Sequence, residues 1–73
     1  MGRAKDTEIL MPFSDKLKSA RLRAELTQPE LAAASGTSQA TISRLEAGLF
    51  EPQYGTLLKL ARALRLPLDE LAH

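Results

Sequence analysis

Apolar residues recur at helical spacing along most of the chain. Phe13, Leu17, Ala20 and Ala24 form the first such stripe, as on a helix with one buried face. Ser14 is a good N-cap for it, and Asp15 suits its positive end. Lys16, Lys18, Arg23 and Glu25 lie away from the stripe, and Leu26 follows as an apolar anchor. A second helix is announced by Thr27-Gln28-Pro29-Glu30, which has the form of a capping box with proline in the first turn. Leu31 and Ala32 face inward, and Gly36 ends the helix. A third helix follows at once, with Ser38 as its N-cap, Ile42 and Leu45 inward and Gly48 as the stop. Residues 49–53 read as a loop. A fourth helix is predicted from Tyr54 to Leu64, with Tyr54, Leu57, Leu60, Ala61 and Leu64 inward. Gly55 weakens its first turn. Leu66-Pro67 breaks it, and a last short helix runs from Leu68 to about Ala72 with Asp69 and Glu70 at its start. Residues 1–12 show no period and read as a flexible arm, so residues 13–73 form the single domain that 73 residues allow.

Composition narrows this to an all-α domain. Hydrophobic residues make up 44% of the chain, enough for a core. Phe13, Phe50 and Tyr54 are the full aromatic set, so the core is built from leucine, alanine and isoleucine, with leucine and alanine favouring helix. No cysteine is present, and the only histidine is the terminal His73, which argues against disulfides, a zinc site and a histidine base. No apolar run approaches the roughly 20 residues of a membrane span, and the N-terminus lacks the form of a signal peptide, so the expected location is the cytoplasm. Nucleophile–base pairs, metal-ligand spacings and phosphate-binding glycine loops are missing, so neither an enzyme nor a cofactor is expected. A net charge of +1 argues for nothing by itself. Six of the ten bases (Arg3, Lys5, Lys16, Lys18, Arg21 and Arg23) fall in the first third, with acids between them. Any positive face must therefore be made by folding.

Two short helices joined by three or four residues that include glycine form a helix-turn-helix. In that arrangement the first helix crosses the DNA backbone, and the second lies in the major groove with its N-terminal residues at the base edges.

Thr27-Gln28-x-Glu30-Leu31-Ala32-x-x-Ser35-Gly36-x-Ser38-Gln39-x-Thr41-Ile42-Ser43-Arg44-Leu45-Glu46-x-Gly48 resembles the core signature of the phage-repressor-like (Cro/CI, or XRE) helix-turn-helix family. The similarity reaches back through Phe13, Leu17 and Arg21, and forward through Pro52, Thr56-Leu57, Leu60-Ala61, Leu64 and Leu68-x-x-Leu71. It implies a compact five-helix, lambda-repressor-like domain. It also implies a sequence-specific regulator of transcription, a repressor, with a recognition helix over about 38–47.

The resemblance assigns roles along that surface. Gln28 is expected at phosphate, where backbone amides of the helix start also point at the anion; the plain alternative is a solvated polar residue. Gln39 is the best base reader, since an amide can pair both polar edges of adenine; otherwise it touches only backbone. Ala40 either meets a thymine methyl or is simply a helix former. Thr41 and Ser38 are expected near phosphate, with local capping as Thr41's other reading. Ser43 suits a direct or water-mediated base contact. Arg44, the only base between Arg23 and Lys59, can bond guanine in two places, grip phosphate or stand as a surface arginine. The family's pattern pairs Arg21 with Glu46, tying the first helix to the third, and part of the guanidinium can still reach phosphate.

The resemblance further suggests a homodimer on a palindromic operator in double-stranded DNA, with half-sites about one helical turn apart. Leu49, Phe50, Leu66, Leu68 and Leu71 are the candidate interface, or else they close a monomer's core; Ile9-Leu10-Met11 can pack across a partner. An antitoxin with a toxin partner, or a restriction–modification controller, would use the same fold. A protein-interaction module without DNA function is the reading from another class, and the polar face of the third helix, with Arg44, argues against it. The chain departs from the family pattern at Gln53 and Pro67, where capping residues are usual. With no second domain in the sequence, inducer sensing is not expected within this chain.

Overall fold

The computed structural model describes residues 12–72, so the arm expected over residues 1–12 lies outside it except for Pro12, as does His73. Five helices follow in order: α1 (Phe13–Arg23), α2 (Gln28–Ser35), α3 (Gln39–Glu46), α4 (Tyr54–Leu64) and α5 (Leu68–Ala72). Among the described residues there is no strand, and no helix is long and apolar enough to cross a membrane.

Every helix contributes at least one fully buried side chain. Leu17 comes from α1, Leu31 from α2, Ile42 and Leu45 from α3, Leu60 from α4 and Leu71 from α5. Each such side chain contributes about 1.5–3 kcal/mol of transfer free energy. Helix α3 packs on both α1 and α2, α2 also packs on α4, and α5 closes the far side against α1 and α4. The helix that carries the candidate reading surface is thus held from behind by two others.

The helix starts obey side-chain chemistry where the sequence offers it. At α2 the Thr27 Oγ1 accepts from the Glu30 N–H at 3.2 Å, and the Glu30 Oε1 accepts from the Thr27 N–H at 2.8 Å. At α3 the Ser38 Oγ accepts from the Thr41 N–H at 3.1 Å. The start of α1 differs from expectation. Pro12, not Ser14, is the N-cap, in extended conformation and without a side-chain bond. Its carbonyl accepts from the Asp15 and Lys16 N–H groups, both at 3.1 Å, which winds Phe13 into the first turn. Gln53 precedes α4 without a capping bond, as its amide side chain suggested.

All four longer helices end the same way. A residue with positive φ reverses the chain, and the next N–H donates back five residues: Leu26 to Arg21, Thr37 to Ala32, Leu49 to Arg44 and Leu66 to Ala61. Two of the reversing residues are the expected glycines, Gly36 and Gly48; the others are Glu25 (φ 61°) and Arg65 (φ 58°).

Two expected burials and one candidate interface residue are corrected. Ala24 is exposed, because α1 has already ended and the buried stripe runs Leu17, Ala20, Arg21 instead. Tyr54 is 65% exposed, because α4 meets the core only from Leu57 onward. Leu71, a candidate interface residue, is 1% exposed within the core, and Leu66 and Leu68 are half-buried against it. Those three leucines close the domain, while Leu49 and Phe50 stay exposed.

Candidate nucleic-acid interface

The turn between α2 and α3 is only Gly36, Thr37 and Ser38. It is short because Gly36 takes φ 73° and reverses the chain at once. Ser35 secures it from inside: its buried hydroxyl donates to the Leu31 carbonyl at 2.7 Å and lies 2.8 Å from the Thr37 hydroxyl.

Ile42 and Leu45 are fully buried and fix which way α3 is turned. Gln39, Ala40, Ser43 and Arg44 are consequently all exposed. Gln39 with Ser43, and Ala40 with Arg44, are pairs four residues apart and so form two neighbouring rows on one surface. Arg44 makes no ion pair among the described residues. Its chemistry is available to a partner outside the chain. Ser38 and Thr41 sit at the helix start, their hydroxyls 2.9 Å apart. Ser38 is the residue that caps, through the Thr41 N–H, and the Thr41 hydroxyl lies against that cap.

Arg21 reaches α3 from α1. Its side chain is 10% exposed and that of Glu46 is 5% exposed. The guanidinium Nε donates to Glu46 Oε2 at 2.6 Å, Nη2 donates to Glu46 Oε1 at 3.0 Å, and Nη1 donates to the Leu26 carbonyl at 2.9 Å. The expected ion pair is present as a two-pronged contact. With those donors turned inward, Arg21 has little surface left for phosphate.

Gln28 joins the same cluster, which sequence reasoning missed. Its Nε2 donates to Glu46 Oε1 at 3.1 Å. No local pattern signals a contact between residues 18 positions apart. One carboxylate thus links α1, α2 and α3. Burial alone would push the Glu46 carboxyl up. Hydrogen bonds from Arg21 and Gln28, with the positive charges of Arg21 and Lys18, hold it below its ordinary value. The hydrogen bond to Glu46 likewise raises Arg21 above its ordinary value, against the opposing effect of burial.

The start of α2 has fewer free amides than expected. Pro29 has no N–H, and the Glu30 N–H is taken by Thr27. The Gln28 N–H is left for an outside acceptor.

Residues 17–71 match the family model described as helix-turn-helix. The HTH-type transcriptional regulator y4dL of Sinorhizobium fredii is 42% identical over 56 residues, covering 77% of this chain and 29% of that protein. The HTH-type transcriptional repressor RghR of Bacillus subtilis is 40% identical over 62 residues, covering 84% of this chain and 46% of that one. The chain spans less than half the length of these relatives. Among solved structures, the P22 c2 repressor in complex with a synthetic operator superposes with a TM-score of 0.78 at 28% identity, over 84% of this chain and 92% of that one.

Proposed function

The chain belongs to the helix-turn-helix family, and from that premise we propose that it is a sequence-specific double-stranded DNA-binding regulator of transcription, acting as a repressor in the cytoplasm. The observation that carries this reading is the exposed surface of α3. Gln39, Ala40, Ser43 and Arg44 share one face while Ile42 and Leu45 anchor the other. An amide, a methyl, a hydroxyl and a guanidinium are groups that read base edges in the major groove. Gln39 is the adenine reader and Arg44 the guanine or phosphate contact. The Gln28 N–H, with Ser38 and Thr41 at the start of α3, faces the backbone. The repressor name of one relative and the operator-bound P22 structure support the reading. Two such domains on a palindromic operator bind one half-site each.

Selection of bound duplexes from a random DNA pool tests the proposal. A recurrent sequence with two-fold symmetry is the expected result. Recovery of no preferred site would refute DNA reading and favour a protein-binding module. Gln39→Ala should relax base preference at one position of the selected site.

A further inference from the structure

The Arg21 guanidinium is turned inward to Glu46 and Leu26, so the charge that α1 can offer a ligand lies elsewhere on the helix. Three other cations stand on α1: Lys16, Lys18 and Arg23. At about 100° per residue, Lys18 projects about 60° round the helix from Arg21, and Lys16 and Arg23 project about 140–160° from it. Lys18 alone of the three shares Arg21's side.

That side of α1 runs along the end of α3. Arg21 bonds Glu46 there, and a Cβ on Gly48 would stand 3.6 Å from the Ser14 hydroxyl. Lys18 lies between Ser14 and Arg21, about one turn from each. It is exposed, and it makes no ion pair among the described residues. The Glu46 carboxylate feels its positive charge, but the hydrogen bonds of that carboxylate come from Arg21 and Gln28. An uncommitted ammonium thus stands beside the group that holds Gln28, and the Gln28 N–H is the one offered to phosphate in the reading above.

We infer that Lys18 is a further DNA contact, its ammonium neutralising a backbone phosphate next to the Gln28 N–H, in the role that the inward-turned Arg21 does not take. A lysine suits that role. Its compact charge on a flexible four-carbon stem meets a phosphate oxygen without the fixed fork of a guanidinium. Such a contact positions the protein and carries no base information. The inference rests on the DNA-binding reading and narrows it to one side chain and one phosphate.

Gel shift of the full chain over a range of salt, on a selected duplex and on an unrelated one, tests it. Lys18→Gln should weaken binding to both by about tenfold near 0.1 M salt. It should also cut the logarithmic salt slope by about 0.9, with base preference and circular dichroism unchanged. Lys18→Arg should keep the wild-type slope. Lys16→Gln and Arg23→Gln, across the helix, should move the slope much less. The inference is overturned if Lys18→Gln keeps the wild-type slope. It is equally overturned if the two distant variants lower the slope as much, since the effect is then a diffuse field and not a contact. In both cases a wild-type chain that selects a site leaves the DNA reading standing; a wild-type chain that binds no duplex removes that reading and this contact together.

Discussion

Arg21 is the residue on which most depends. Removing one member of a buried ion pair costs about 3–5 kcal/mol, because the other is left charged and unpaired. The whole stability of a small domain is of order 5 kcal/mol. Arg21→Ala should therefore lose most of its stability and melt much closer to room temperature, whereas Arg21→Met with Glu46→Leu should regain most of the melting temperature. An unchanged melting temperature in Arg21→Ala would dispose of the structural role. Glu46 also sets a pH dependence. Its folded pKa is lowered, so its contribution is complete above the ordinary glutamate value of 4.5. It is lost as pH falls from there through the lower folded value. Denaturant titrations between neutral and acidic pH should show wild type losing more stability than Glu46→Gln. Gln28→Ala keeps the backbone N–H offered to phosphate and should lower stability by about 1–3 kcal/mol through its lost bond to Glu46, read as a fall in melting temperature.

At the scale of the helix, the ends are the informative parts. Gly36 has open space where a Cβ would stand, so Gly36→Ala tests backbone strain alone. It should cost about 1–2 kcal/mol, read as a fall in melting temperature. Glu25→Gly is the converse change: it relieves the left-handed strain at φ 61° and should be neutral or stabilising by up to about 1 kcal/mol. These positions also show what was legible in the sequence. The Thr27–Glu30 box, the Ser38 cap and the two glycines are local chemistry, and residue type reveals them. Glu25 and Arg65 adopt the same reversal without any such signature, because their conformation is imposed by the helices on either side. Ala24 and Tyr54 fit helical spacing yet lie at helix edges, where the period continues beyond the packing. Pro12 displaced Ser14 because a carbonyl, which every residue has, took the capping role. The outward face of α3 was legible from the Ile42 and Leu45 spacing. The Gln28–Glu46 bond was not, since it exists only once α2 and α3 have met.

Across the whole molecule, a net charge of +1 means that long-range attraction to DNA is weak and close contacts must supply the affinity. Each phosphate neutralised steepens the salt dependence by about 0.9 in logarithmic slope. Gel-shift affinity should thus fall steadily between low and moderate salt; a flat response would contradict phosphate contact. The cluster of Arg21, Gln28 and Glu46 has a further consequence for how such a molecule meets its site. Because one carboxylate clamps three helices before any ligand arrives, α3 is offered already ordered. Docking should then proceed as the meeting of two finished surfaces. Calorimetry should record a heat-capacity change no larger than the contact area itself accounts for, without the excess that accompanies a segment folding as it binds.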